Sequence, residues 1–177
     1  MSAHERAADA IEVFQTEDEE RMTTSWPREL RSGGETFKRR VDNPMVFRAY
    51  MLAKMPTLGI TTAYIERLGV TECVVALPHG WMTRDLFGRM STAAILAGAE
   101  ACAVSLLVLN IRNQGAALTP SVRAVSIECA EAVRQDLRFE VADGEAFGAF
   151  VAEAVAAGDE VRRDLTVRAR APGGRIT

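Results

Sequence analysis

Apolar residues fill one stretch of the chain almost without interruption, from Thr92 to Ile111, and Glu100 is the only charged residue within it. A helix that is apolar on every side lies either in a membrane or inside a protein. The stretch is long enough for a membrane span, which takes about 20 residues, but a carboxylate near the bilayer centre is costly. Alternating segments on both sides of the stretch need a helix to cover their apolar faces. We therefore expect a central helix near residues 89–109 that is enclosed by protein, and no membrane span.

Segments typical of β-strands lie on both sides of this central helix. Before it, two runs rich in β-formers are separated by Gly69, a pattern that predicts an antiparallel hairpin. After it, apolar and polar side chains alternate in several short runs. The predicted strands lie at residues 59–68, 70–78, 121–133, 136–141, 161–171 and 175–177.

Capping residues mark two further helices. Asn43 at the N-cap and Pro44 at the first helical position predict the start of one. The other begins at Asp143 or Gly144 and ends at Gly158.

This order of elements predicts an α+β fold, in which an antiparallel sheet is covered by the long helix. Residues 43–177 form the domain, and residues 1–42 form a polar arm in which residues 7–14 fit a short amphipathic helix. Residues 24–40 are interpreted as a linker because they contain three chain breakers, which are Pro27, Gly33 and Gly34.

Composition limits the chemistry and the partners. The net charge is −3 and the pI is about 5.5, so the chain lacks the basic surface that nucleic acid requires. The cysteines, Cys73, Cys102 and Cys129, have neither metal-site spacing nor an even number, which is typical of free thiols. With only His4 and His79, a multi-histidine metal site is not expected. The N-terminal residues have no apolar core of a secretion signal, so we expect a cytoplasmic protein.

The lone acid of the central helix has two interpretations inside a protein. A buried carboxylate is costly unless it pairs with a cation or a hydrogen-bond donor, so Glu100 could be structural. A carboxylate in an apolar cleft is also a candidate base or nucleophile. The residues alone leave both open.

The sequence DLFGRMSTAAILAGAE, which ends at Glu100, resembles a motif of the hotdog-fold thioesterase superfamily, in its phenylacetate-pathway-type branches. There an N-x-x-G turn leads into HGG at the start of the central helix, and a catalytic Asp or Glu follows the second glycine by seven positions. Gly88 matches the turn glycine, residues 91–93 fall where HGG would be, and Glu100 falls at the acid. The resemblance covers about residues 44–177.

Three departures from the motif concern the proposed chemistry. Asp85 stands where Asn is usual, and Ser91 replaces the histidine. Neither glycine of HGG is present, and their absence restricts how closely a thioester approaches the helix N-terminus.

The resemblance implies a hotdog fold and hydrolysis of an acyl-CoA or acyl-carrier thioester, with coenzyme A as part of the substrate and no further cofactor. It implies Glu100 as the base or nucleophile and the N–H groups of Thr92 and Ala93 as the groups that polarise the carbonyl. Asp85 and Ser91 are catalytic candidates that orient water or thioester, with helix capping as the alternative. The candidate substrate-binding residues are Gly88, Arg89, Thr92, Ala93, Trp81 and Arg84.

Several alternatives stay open. Arg84 and Arg89 either contact coenzyme A phosphates or lie on a solvated loop face. Trp81 either lines an acyl pocket or closes the core. The main rival function is a non-catalytic acyl- or CoA-binding hotdog domain. A dehydratase or hydratase is a weaker rival, because His79 lies too far upstream of the acid. Hotdog relatives build their sites between subunits, so the resemblance also implies a homodimer or homotetramer.

Overall fold

The computed structural model of the protein describes residues 26–129 and 132–171, and these form five helices and four strands. In chain order the elements are α1 Ser32–Val41, α2 Pro44–Lys54, α3 Pro56–Ile60, β1 Tyr64–Leu68, β2 Cys73–Leu77, α4 Thr92–Gln114, β3 Leu137–Val141, α5 Gly144–Ala157 and β4 Val167–Arg170.

The four strands form one antiparallel sheet in the order β1-β2-β3-β4. The predicted hairpin is confirmed, since Ile65 of β1 pairs with Val75 of β2. On the other side of β2, Val75 pairs with Phe139 of β3. All five residues of β2 are buried, as expected for a central strand covered on both faces.

The long helix α4 packs across this sheet. Gly98 lies against the Phe139 ring, and the Cys102 thiol donates to the carbonyl oxygen of Cys73 over 3.3 Å. Among the described residues α4 is the single helix long and apolar enough to cross a membrane, and more than half of its most apolar window is buried in the protein. The expected α+β hotdog architecture, with a central core helix, is confirmed.

The capping signals are also confirmed. The Asn43 side chain accepts hydrogen bonds from the N–H groups of Met45 and Val46, and these satisfy two free donors at the start of α2. Asp143 caps α5 in the same way, and Gly158 ends that helix at a φ of 66°.

The linker interpretation of residues 24–40 is wrong for its second half, because Ser32–Val41 is helix α1. Gly33 and Gly34 do not turn the chain. They allow α1 to approach the end of α4, where a Cβ on Gly34 would lie 2.6 Å from Asn113 Oδ1, and one on Gly33 would overlap the Arg112 carbonyl oxygen. A glycine needed for close approach looks the same in the sequence as a glycine needed for a turn.

One buried amide fastens the residues before α1 to α4. Asn113, which is 2% exposed, accepts from Arg31 N over 2.6 Å and donates to the carbonyl oxygens of Pro27 and Glu29. Beside it, Trp26 is buried against Gly148 of α5. The chain from Trp26 onward is therefore part of the packed structure. The predicted helix at residues 7–14 lies outside the described residues.

The strand predicted at residues 121–133 is wrong over residues 121–129, which lie in no strand and are all exposed. No backbone hydrogen bond joins these nine residues to another described residue. A strand requires a neighbouring strand, and this segment pairs with neither edge of the sheet. The strand predicted at residues 161–171 is shorter than expected, because β4 covers Val167–Arg170. The predicted strand at residues 175–177 lies outside the described residues.

The contact between α4 and β3 predicts the response to one added methyl group. We expect Gly98→Ala to destabilise the protein by about 1–3 kcal/mol, because the new Cβ overlaps the buried Phe139 ring. This outweighs the gain of roughly 0.5–1 kcal/mol that alanine normally gives in a helix. Urea unfolding measures the difference. Gly80→Ala is the control, since a Cβ there meets nothing within 4 Å, and an equal effect of both variants would contradict the packing argument.

Candidate functional site

The segment between β2 and α4 is a loop whose two ends are tied together by one buried threonine. Thr83 is 1% exposed; its hydroxyl accepts from Gly80 N and donates to the carbonyl oxygen of Pro78, both over 2.9 Å. Its carbonyl oxygen accepts from Ser91 N over 2.8 Å. Thr83 therefore fixes the end of the sheet relative to the start of the central helix.

A second turn in this loop is built around Asp85. One carboxylate oxygen accepts from the N–H groups of Phe87 and Arg89, and the other accepts from the Arg89 guanidinium over 2.8 to 2.9 Å. Gly88 occupies the left-handed region, with a φ of 73°, which glycine adopts without strain. The hydrogen bonds from the Arg89 N–H and then the Phe87 N–H, together with the Arg89 charge, lower the pKa of Asp85.

The start of α4 offers free hydrogen-bond donors. Ser91 is the N-cap, and its hydroxyl oxygen accepts from Ala94 N over 3.2 Å. The N–H groups of Thr92 and Ala93 have no acceptor among the described residues, and both residues are exposed. Free N–H groups at the positive end of a helix dipole can bind an anionic oxygen.

Glu100 lies on the side of α4 that faces away from the sheet. Gly98 and Cys102 contact the sheet, and each is two residues from Glu100, which places it about 200° around the helix from both. Seven residues separate it from Ala93, so the two share a face and stand about 10 Å apart along the helix axis. Because the Cα–Cβ bonds of a helix tilt towards its N-terminus, a glutamate at this position can reach back towards the free N–H groups.

Burial and pairing distinguish the two interpretations of Glu100. The residue is only partly buried, and it makes no hydrogen bond or ion pair with any described residue. It belongs to a partly exposed stripe of α4 with Leu96, Ala103 and Val104. The sheet covers one side of the helix, and this side is left partly open. The structural interpretation of Glu100, which required a partner, gains no support from the described residues.

The remaining candidate residues lie around the loop. Trp81 is 76% exposed, so the interpretation that it closes the core is wrong. Arg89 is held by Asp85 and lies over the Phe87 ring at 5.1 Å, whereas Arg84 is exposed and has no ion pair among the described residues. The structure therefore brings Asp85, Gly88, Arg89 and Ser91 together in one turn system beside the helix start.

Two contacts of the loop could not be predicted from any pattern in the sequence. Thr83 is a common loop residue whose burial only the folded chain reveals. His79 donates its N–H to Asp136 Oδ1 over 2.8 Å, which ties the loop to the residues before β3, and its Nε2 is buried without a partner among the described residues. His79 and Asp136 are 57 positions apart in the chain, so no local pattern predicts this contact.

Comparisons with known proteins support the architecture. No family model and no curated protein matches the chain. A solved protein of unknown function from Pseudomonas aeruginosa, described as a probable thioesterase, is similar with a TM-score of 0.60 and 16% identity over 76% of this chain and 88% of its own. A structural-genomics protein is similar with a TM-score of 0.57 and 14% identity over 82% of this chain and 91% of its own. At these identities the likeness is one of fold.

The charge on Asp85 gives a pH-dependent prediction. Because the pKa of Asp85 is lowered below its ordinary value of 3.8, its stabilising contribution is complete above that pH and is lost as the pH falls through the lowered value. We expect wild type to be more stable than Asp85→Asn near neutral pH, and this difference to shrink below pH 3.8. Urea unfolding of both proteins at several pH values measures it. A difference that stays constant down to the acid limit would show that the charge is not involved.

Proposed function

We propose that the protein hydrolyses a thioester of coenzyme A or of an acyl-carrier protein. The observation that supports this most concerns Glu100 and the start of α4. The Glu100 carboxylate has no partner among the described residues and shares a face with Ala93, and the N–H groups of Thr92 and Ala93 have no acceptor among the same residues. A base and a group that binds an oxyanion are the two requirements of acyl transfer to water. The probable-thioesterase description of the Pseudomonas aeruginosa protein with the same fold agrees with this chemistry.

In the proposed reaction the thioester carbonyl lies at the start of α4. The Thr92 and Ala93 N–H groups stabilise the negative charge that develops on the carbonyl oxygen. The Glu100 carboxylate takes a proton from water, the water oxygen bonds to the acyl carbon, and the carbon–sulfur bond breaks. The proton passes to the departing thiolate, which leaves a carboxylic acid and a thiol. Direct attack by the carboxylate to form a mixed anhydride, which water then hydrolyses, is the other route.

Asp85 and Ser91 support this site through the backbone. Asp85 holds the turn at Gly88, and Ser91 caps the helix whose N–H groups face the carbonyl. The Ser91 hydroxyl also has a proton to donate to water or to the thioester. These contacts give both residues a positioning role in the proposed mechanism.

Arg84 and Trp81 are the proposed contacts for the carrier part of the substrate. Both are exposed beside the helix start, and Arg84 has no ion pair among the described residues. A guanidinium binds phosphate, and an indole ring offers a flat apolar surface. Arg89 contributes less charge, because Asp85 neutralises it. The chemistry needs no metal and no cofactor beyond coenzyme A in the substrate.

We further propose that the protein is a homodimer, or a homotetramer built from it, in the cytoplasm. Val122, Val125 and Ile127 are exposed on an extended segment without backbone partners among the described residues. Pairing with a second copy would satisfy those backbone groups and cover the side chains. Cys73 and Cys102 are buried, free thiols, which suits a reducing compartment.

A second candidate function is an acyl- or CoA-binding domain without turnover. It is favoured by residues 91–93, where serine, threonine and alanine stand in place of HGG. Their side chains narrow the approach to the helix N-terminus, and the Ser91 hydroxyl oxygen already accepts from Ala94 N.

Glu100→Gln separates these functions. We expect kcat/KM for acyl-CoA hydrolysis to fall by about 10²–10⁴ because the variant lacks a base. We expect the free energy of unfolding to change by less than about 0.5 kcal/mol, since the side chain makes no hydrogen bond or ion pair within residues 26–129 and 132–171. Release of free thiol from a panel of acyl-CoAs gives the rates. Glu29→Gln, an exposed glutamate outside the site, is the control. Full hydrolysis by Glu100→Gln would reject the carboxylate mechanism, and acyl-CoA binding without turnover by wild type would favour the binding domain.

The proposed assembly has its own test. We expect Val125→Asp to produce a monomer by light scattering at micromolar concentration, because it places a charge within the proposed interface. Val155→Asp is the matched control, since Val155 is similarly exposed but lies on α5. A wild-type protein that is monomeric at this concentration would contradict the assembly.

A further inference from the structure

Helix α2 exposes an apolar face that none of the described residues covers. Phe47 and Met51 point into the core, whereas Met45, Ala49 and Leu52 follow one another at helical spacing on the opposite side. Met45 is 83% exposed and Leu52 is 44% exposed. Leu52 also lies against Gly59, and the neighbouring Ile60 is 49% exposed, so the face continues onto α3. Contiguous exposed apolar surface is typical of a contact site.

We name the surface formed by Met45, Ala49, Leu52 and Ile60 the α2 face. It also carries positive charge. Arg48 lies at its edge, about 60° around the helix from Met45 and 40° from Leu52, and residues 43–63 contain no acidic residue. Arg48 is exposed and makes no ion pair with another described residue. A partner of the α2 face should therefore combine apolar side chains with negative charge.

The first 25 residues of the chain have this composition. They carry seven acidic residues and two arginines, a net charge of −5, so the rest of the chain is left with +2 of the total of −3. In a helix, Ala7, Ile11 and Phe14 would share one face, while Asp9 and Glu12 would lie on the other. A cluster of four acids follows at residues 17–20.

We propose that the N-terminal segment of the chain docks on the α2 face. Ile11 and Phe14 pack against Met45 and Leu52, and the acidic residues that flank them lie near Arg48. The contact buries apolar surface and pairs charges that have no partner among the described residues.

The length of the connection allows this contact. The packed chain begins at Trp26, and Phe14 lies twelve residues before it, which corresponds to a reach of up to about 40 Å when extended. A compact domain of this length has a radius of gyration of about 16 Å. The tether is therefore more than twice as long as this radius, and it holds the segment near the domain at an effective concentration of roughly millimolar.

The positive charge of the α2 face favours the N-terminal segment as its partner over the α2 face of a second copy. A two-fold contact between two copies would bring two Arg48 side chains to one interface, with no acidic residue of residues 43–63 to pair with them. The N-terminal segment has the opposite charge and is attached to the same molecule.

Oxidation of methionines in the full-length protein tests the proposal, because Met45 lies in the α2 face and Met51 is buried on the opposite side of the same helix. Dilute hydrogen peroxide followed by peptide mass spectrometry measures the oxidation rate of each. We expect the double substitution Ile11→Asp with Phe14→Asp to speed the oxidation of Met45 by about tenfold, which corresponds to a docked population of ~90% in wild type. Thr16→Asp is the control, since it adds a negative charge on the polar side of the segment.

The outcomes are distinct. Slow oxidation of Met45 in wild type and Thr16→Asp, with fast oxidation in the double variant, would support the proposal, provided that Met51 stays unreactive in all three. Equal, fast oxidation of Met45 in every protein would overturn it, and protection that appears only with anionic lipid vesicles would assign the α2 face to a membrane surface. Slow oxidation of Met45 in the double variant would also overturn the proposal. If the oxidation rate then fell as the protein concentration rose, a second copy would be the partner.

Discussion

The close contact between α4 and the sheet is the constraint on which the rest of the structure depends. Gly98 permits it by leaving room for the Phe139 ring, and the Cys102 thiol reaches the backbone of β2. Because this contact fixes one side of the helix against the sheet, it also fixes which residues face away from it. Glu100 is partly exposed for this reason, although its neighbours along the chain are apolar.

The loop before α4 positions the residues of the candidate site. Thr83 joins the end of β2 to the residue that caps the helix, and Asp85 holds the turn between them. The start of α4 is thereby fixed without placing any side chain over the N–H groups of Thr92 and Ala93. A preorganised set of donors stabilises a developing charge better than a mobile set, because no reorganisation is needed during the reaction.

Two surfaces of the described chain lack a covering partner, and they differ in character. The extended residues 121–129 offer backbone groups and β-branched side chains, which suit another strand. The α2 face offers apolar side chains beside the exposed Arg48, which suit an acidic amphipathic segment. The second copy that we propose for the first and the N-terminal segment that we propose for the second could therefore bind at the same time.

The sequence by itself determined the features that depend on neighbouring residues. Asn43, Asp143 and Gly158 set helix ends through contacts within one turn, and the length of the apolar stretch predicted the central helix and hence the α+β fold. Only the tertiary structure decided the features that depend on residues far apart in the chain. Gly33 and Gly34 serve close packing of two helices, residues 121–129 lack a strand partner, and the exposure of Glu100 follows from which side of α4 the sheet covers. A local pattern records the preference of a segment, whereas burial and pairing depend on what the rest of the chain places beside it.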